Sequence, residues 1–356
     1  MSMFNPLSVS SKFAICGLPL RLDSYSLCSY GCTYCFANNR RIGRKPDKEA
    51  NTEWLRRKFH KVYDEGETRE GNFIDALLRE RITLHGGTMS DCFQPCERTL
   101  KQTQKIVEIC NDYDQHILFS TKSNCIYSVG VQPELHSFQL SVTNTDGLFE
   151  PGVPPVEERK IFFDELKDKG FKVGIRLQPF IPGITDYERI VDLFSDADHY
   201  TVECLKFVPH NKEYNEKTIR ELGFSRGDWK QKGLLHLDPE KRLRLYEPVI
   251  GLLEDKGYSW SVADNDLHWL GNNKCCCGDR LVHKQTLFHN TRLIKEYGKD
   301  YKKDDLLENL KGFEDCKCSS LFTSDRREGC KTVKEFCMKR FGRGSSPFSP
   351  KFQYYD

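Results

Sequence analysis

Three cysteines lie close together near the N-terminus. Cys28, Cys32 and Cys35 follow a C-x3-C-x2-C spacing in the stretch from Leu27 to Phe36. Thiolates are the ligands that iron–sulfur clusters require, and three of them serve three irons of a [4Fe–4S] cluster. The fourth iron then has no protein ligand. An open iron accepts a small chelating molecule, much as a catalytic zinc keeps one position free. S-adenosylmethionine chelates through its amino and carboxylate groups, and an electron from the cluster breaks a sulfur–carbon bond to leave a 5′-deoxyadenosyl radical. Zinc more often takes four ligands, in two paired-cysteine motifs. The threefold spacing, with the aromatic Tyr34 before the last cysteine, favours the cluster over zinc or a chance grouping.

A second group of cysteines lies far along the chain. Seven of the 16 cysteines fall from Cys275 onward. Cys275, Cys276 and Cys277 are consecutive, and Cys316, Cys318, Cys330 and Cys337 follow as C-x-C-x11-C-x6-C. Four thiolates suit a zinc or a second [4Fe–4S] cluster; a metal-free set of buried thiols is the third reading. The candidate ligands are Cys276, Cys277, Cys316, Cys318, Cys330 and Cys337, with one cysteine of the triplet joining the later four or replacing one. In a reducing compartment such clusters mean metal or catalysis more often than disulfides. The N-terminus lacks a charged segment leading into an apolar stretch, and no apolar run approaches the roughly 20 residues that cross a membrane. The expected location is the cytoplasm, with no membrane partner.

These residues need a scaffold to bring them together. Strand-like segments rich in β-branched and aromatic residues are expected at 21–27, 81–85, 115–121, 137–142, 172–178, 200–205 and 258–262. Helical periodicity falls between them at 97–110, 155–170 and 243–256. Such alternation predicts parallel strands with crossover helices, partly or wholly closed into a barrel, with the chemistry at the C-terminal strand ends. The cysteine loop, Gly86–Asp91 and the stretch 121–123 fall at those ends. The expected organisation is a lead-in over 1–19, a barrel over 20–265, a cysteine-rich extension over 266–343 and a flexible Gly/Ser/Pro-containing tail over 344–356.

Specific motifs run through the barrel: Gly87, Thr88, Met89, Ser90 and Asp91 continuing to Glu97; the stretch 120–123 with Lys122 and Ser123; Glu150 and Gly152 with Arg159; and Gln178 to Asp186. Together with the cysteine loop they resemble the radical S-adenosylmethionine (radical SAM) superfamily, and within it the spore photoproduct lyase-like group, over residues 20–265. The resemblance implies an α/β fold, a partial (β/α)6 barrel with a cysteine-rich C-terminal extension. It implies an enzyme that cleaves S-adenosylmethionine reductively and takes hydrogen from a substrate, with a reductant such as flavodoxin or ferredoxin. It carries a hydrogen bond to the methionyl amino group onto Gly86, Gly87 and Thr88, although a plain strand-to-helix turn is the alternative. Ser90 lies at a polar contact to S-adenosylmethionine, and Lys122 would pair with its carboxylate. Ser141 ends a strand within reach of the ribose or carboxylate. Arg176 either points inward as a buried cation in need of a partner or outward as a surface residue. Asp264 and Asp266 follow the last strand as ligand contacts or as helix caps.

Two departures bear on the reaction. The lyase has a cysteine just before its Ser/Thr–Asp pair and a tyrosine after its last cluster cysteine. Here those positions hold Met89 and Phe36, without an S–H or phenolic O–H to give. A hydrogen-atom relay through them cannot operate; Cys92 or Cys96 is a substitute, or a buried thiol of the ordinary kind. Formal net charge is +2, too small to argue for nucleic acid by itself. The basic residues are nonetheless bunched, as Arg40, Arg41, Arg44 and Lys45 and as Lys331, Lys334, Lys339, Arg340 and Arg343. Three readings stay open: radical chemistry on a nucleic-acid base or nucleotide, the same chemistry on a peptide or small metabolite, and a non-catalytic zinc- or nucleic-acid-binding protein.

Overall fold

The computed structural model describes residues 3–10, 12–39, 49–127, 129–321 and 329–341. Arg40, Arg41, Arg44, Lys45, Arg343 and the tail 344–356 lie outside them. The strands of the largest sheet are β1 (Leu7–Val9), β2 (Leu20–Leu22), β3 (Leu84–Gly86), β4 (Ile117–Thr121), β5 (His136–Ser141), β6 (Lys172–Phe180), β7 (Tyr200–Cys204) and β8 (Trp260–Val262). They form one sheet in the order of the chain, with β1 and β8 at its edges. β1 pairs antiparallel with β2, and every later pair is parallel.

Alternation along the strands explains the layering. Side chains one residue apart point to opposite faces. Phe138 and Leu140 of β5, Val173, Ile175 and Leu177 of β6, and Tyr200 and Val202 of β7 are buried in the main apolar core. Phe138 meets Phe162 of the helix Val156–Asp168 edge-on at 6.5 Å, and Phe180 meets Tyr246 of the helix Pro239–Asp255 at 5.6 Å. The intervening residues are polar and share the other face: the Gln139 amide donates to Thr201 Oγ1 at 3.3 Å, and Arg176 Nη1 donates to Gln139 Oε1 at 2.7 Å. The helix-covered face is therefore greasy, and the enclosed face carries hydrogen-bonding groups.

All seven expected strand segments are parallel strands, one more than a six-stranded partial barrel. Two expectations need correction. β2 ends at Leu22 rather than near 27, because Asp23 turns its carboxylate back onto the loop after β3, as described below. The helix expected over 97–110 is broken into Glu97–Leu100 and Gln102–Asp112, with Lys101 left-handed at φ 51°. The buried Glu97 carboxylate causes the break. It accepts the Thr103 and Gln104 backbone N–H groups, each at 2.9 Å, and so caps the second helix.

The extension does not build a core of its own. Phe288 and Phe313 pack on Phe73, which also touches Phe13, so residues 266 onward share the barrel's apolar core. Among the described residues, no helix is long and apolar enough to cross a membrane.

Candidate active site at the barrel mouth

The cysteine loop leaves the C-terminal end of β2 and is fastened by its neighbours. Gln94 holds it at two points: its Oε1 accepts the Ser29 N–H at 2.7 Å, and its Nε2 donates to the Leu27 carbonyl at 2.9 Å. Tyr30 donates to the Phe93 carbonyl at 3.3 Å. The Thr33 N–H reaches the Phe149 carbonyl at 3.0 Å, and the Gly152 N–H reaches the Tyr30 carbonyl at 3.1 Å. A side chain at position 152 would run into that same carbonyl, which accounts for glycine there. Cys28, Cys32 and Cys35 are half-buried and free of disulfides. Burial, reinforced by Asp91, pushes the Cys28 thiol up to about 12; burial also lifts Cys32 to about 11, although Lys122 pulls the other way. Buried thiolates of this kind need a nearby positive charge, as the iron of a bound cluster would supply.

Two aspartates tie the strand ends together. Asp23 accepts from Thr88 Oγ1 at 3.1 Å and from the Met89 N–H at 2.8 Å. Asp91 accepts from Thr121 Oγ1 at 2.8 Å and from the Lys122 N–H at 2.7 Å. The glycines between them have packing reasons. A Cβ at Gly86 would press on the Phe119 ring; at Gly87, φ is +78° and a Cβ would collide with the Ser120 carbonyl. Gly87→Ala should therefore cost about 1–3 kcal/mol from backbone strain alone, read as a lower urea midpoint at unchanged slope. Ser90 is buried, and its hydroxyl donates to the Tyr25 carbonyl at 2.6 Å.

A buried carboxylate organises the other side of the mouth. Glu150 is 2% exposed. Its Oε1 takes the Lys122 ammonium at 2.7 Å, the Thr143 hydroxyl at 2.9 Å and the Tyr34 phenol. Its Oε2 faces Arg159 Nη2 at 3.7 Å, while Arg159 Nη1 donates to the Ser141 carbonyl at 2.8 Å. Burial would raise the Glu150 carboxyl, but Lys122 and Arg159 outweigh it and hold it below the ordinary range. Tyr34 thus joins the cysteine loop to Lys122 at the end of β4. Ser141 ends β5 on the enclosed face, in register with Arg176, and its hydroxyl makes no hydrogen bond among the described residues.

The enclosed wall continues inward from there. Arg176 points inside: Nε donates to Gln178 Oε1 at 2.7 Å, and Nη1 lies 3.8 Å from Cys277 Sγ. Gln178 reaches Glu203, which pairs with Lys206. Lys206 lies 3.6 Å from Asp264, and Arg242 grips Asp264 at 2.9 Å and Asp266 at 2.6 Å. Asp264 and Asp266 are thus partners of a buried arginine rather than helix caps. Burial would raise Asp266, but Arg242 outweighs it and brings the carboxyl to about 2. A carboxyl depressed on folding stabilises the fold above its unfolded value near 3.9 and loses that contribution as pH falls toward about 2. This carboxyl should contribute about 2 kcal/mol of the loss across that window. In Arg242→Gln the acid-unfolding midpoint, followed by circular dichroism, should move to higher pH.

The structure gathers Cys28, Cys32, Cys35, Tyr34, Lys122 and Ser141 at one mouth and places Gly86, Gly87, Thr88 and Ser90 on the adjoining loop. Sequence reasoning gave no role to Glu150, Thr143, Asp23 or Gln94. A carboxylate or amide earns its place here by what it touches across the fold, and only the motif containing Glu150 hinted at it. Cys92 is fully buried in the core, and its thiol is pushed far up by burial. Cys96 is partly exposed and its thiol is raised by burial and Glu97. The later cysteines separate into two groups. Cys275 and Cys277 sit in a small cluster with Leu18, Leu118 and Leu281, while Cys316, Cys318, Cys330 and Cys337 belong to the main core.

The donor set at the mouth fits a [4Fe–4S] cluster that binds S-adenosylmethionine. Three disulfide-free thiols stand on one fastened loop, and a cation and a hydroxyl lie on neighbouring strand ends. No protein-family model matches the chain, and no curated protein does. Solved structures do. Spore photoproduct lyase complexed with dinucleoside spore photoproduct matches with a TM-score of 0.53 at 16% identity, over 69% of this chain and 76% of that one. A mutant of the lyase with bound AdoMet and dinucleoside spore photoproduct matches with a TM-score of 0.53 at 16% identity, over 71% of this chain and 79% of that one. The likeness is one of fold: this chain has the parallel partial barrel of those enzymes.

Proposed function

We propose that the chain is a radical S-adenosylmethionine enzyme acting on a nucleic-acid base or nucleotide, in the cytoplasm, with a flavodoxin- or ferredoxin-type reductant. Three cysteines in no disulfide, on one loop after the first parallel strand of this barrel, carry the reading. Cys28, Cys32 and Cys35 would hold a [4Fe–4S] cluster. A cluster held there would supply the one electron that splits S-adenosylmethionine into methionine and a 5′-deoxyadenosyl radical, the hydrogen-abstracting species of this chemistry.

The chain's own residues would do the positioning. Gln94 and Tyr30 fasten the cysteine loop at the barrel mouth. Lys122, 15% exposed at its side chain and already held by Glu150 and Thr143, offers its remaining donor to the carboxylate of S-adenosylmethionine. Ser141 adds a free hydroxyl beside it. Gly86, Gly87 and Thr88 form the edge along which the methionyl end would lie. Ser90 acts one step back, through the Tyr25 carbonyl. The likeness to a spore photoproduct lyase complexed with a dinucleoside spore photoproduct supports a nucleobase or nucleotide as the substrate class. Thymine-dimer repair by the lyase's relay does not fit Met89 and Phe36.

Anaerobic reconstitution with iron and sulfide, then reduction in the presence of S-adenosylmethionine, tests the reading. It requires 5′-deoxyadenosine above the level without protein; its absence from reconstituted, reduced protein would overturn the assignment. Salt-sensitive binding of an oligonucleotide supports the nucleic-acid substrate. Binding neither oligonucleotides nor nucleotides leaves the same chemistry for a peptide or small metabolite.

A further inference from the structure

Cys275, Cys276 and Cys277 have no place in the chemistry of the mouth, yet their three sulfurs all lie within 4.8 Å of one another. Cys16, from the lead-in, packs against the same small cluster, with its thiol on the Leu18 carbonyl at 3.5 Å. The four belong to one small cluster against Leu18, Leu118 and Leu281. We propose that Cys16, Cys275, Cys276 and Cys277 form a tetrathiolate zinc site that closes the enclosed side of the barrel beneath its mouth.

Spacing selects the metal. With zinc–sulfur bonds of about 2.3 Å, a tetrahedron sets its sulfurs about 3.8 Å apart. A cubane puts each thiolate on a different iron and spreads them wider, so the three sulfurs of Cys275, Cys276 and Cys277, this close together, suit a single ion, with Cys16 beside them as the fourth ligand. The turn carrying them is already shaped. Asp279 accepts the Lys274 and Cys275 N–H groups at 2.9 Å and 3.1 Å, and Asn273 accepts the Asp279 N–H at 3.1 Å. The Gly278 N–H returns to the Cys275 carbonyl at 3.0 Å. Gly278 has φ +87° and lies against the His199 ring, where a Cβ would not fit.

The barrel wall receives this turn. Thr201 and Ser261 hydroxyls donate to the Cys276 carbonyl at 2.9 Å and 2.8 Å, and Gln139 donates to the Cys277 carbonyl at 3.0 Å. Arg176 gives the independent indication. It is 7% exposed and makes no ion pair with a carboxylate among the described residues. Its partners are the Gln139 and Gln178 amide oxygens and Cys277 Sγ at 3.8 Å. A buried cation needs a counter-charge, and a zinc with four thiolates, net charge −2, supplies one. The ion would staple the lead-in to the extension across the barrel floor and add directly to folding stability.

Metal analysis of the full chain tests this independently of the mouth. The Cys28→Ala/Cys32→Ala/Cys35→Ala variant, purified with zinc present, should keep about one zinc per chain and no iron. Its zinc-edge X-ray absorption should show four sulfurs at about 2.3 Å. A Cys318→Ser/Cys337→Ser variant should keep the zinc, and Cys16→Ser/Cys277→Ser should lose it. Should the last variant fail to fold, the first two decide. Absence of zinc, iron retained in the triple variant, a shell containing nitrogen, or zinc lost with Cys318 and Cys337 would overturn the proposal.

Discussion

Replacing Cys28, Cys32 and Cys35 together with alanine lowers the iron of reconstituted protein by about four atoms per chain and takes 5′-deoxyadenosine formation to background. The fold should survive, because Gln94 and Tyr30 fasten the loop and Asp23 and Asp91 tie the strand ends. Unchanged far-ultraviolet circular dichroism separates loss of chemistry from loss of structure. Single cysteine-to-serine variants should fall almost as far, since a cluster with two thiolates lacks the arrangement that leaves one iron open. Iron and sulfide assays beside the product assay check this, and full cleavage by the triple variant would contradict it.

Glu150→Ala should be the most damaging single change outside the cysteines. It strands Lys122 and Arg159, both largely buried, without their shared carboxylate. Breaking a buried pair in this way costs about 3–5 kcal/mol, most of it from the charge left behind. Glu150→Gln keeps acceptors for Tyr34 and Thr143 and should cost less. Lys122→Met combined with Glu150→Leu should recover part of the stability of Glu150→Ala while still failing to cleave S-adenosylmethionine. Chemical unfolding of wild type, Lys122→Met, Glu150→Leu and the double variant gives the cycle. A loss below about 1 kcal/mol in Glu150→Ala would mean that the pair is effectively solvated.

The strands could be read from local pattern because a buried parallel strand keeps apolar residues at every second position whatever lies around it. Phe138 and Leu140, or Val173, Ile175 and Leu177, announce themselves in this way. The cysteine loop was equally visible, since its ligands are close in sequence. Other features depend on partners distant in the chain. Lys101 interrupts a good helical pattern because Glu97 is drawn inward, and no local rule contains that. Arg176 could be inward or outward until the register with Ser141 and Thr201 was known. Cys16 lies more than two hundred residues from the thiols it meets. The extension, read from its charges and cysteines as an appendage, packs Phe288 and Phe313 against Phe73 because those aromatic residues, sparse in sequence, converge in space.

Electron paramagnetic resonance of the reconstituted, reduced protein, with and without S-adenosylmethionine, probes the open iron itself. A signal from a reduced [4Fe–4S] cluster should shift in g-values on addition, because the amino and carboxylate groups reach the iron that no cysteine holds, and the shift should vanish in the triple cysteine variant. A cluster signal unmoved by saturating S-adenosylmethionine, or no cluster signal at all, would contradict the assignment of Cys28, Cys32 and Cys35.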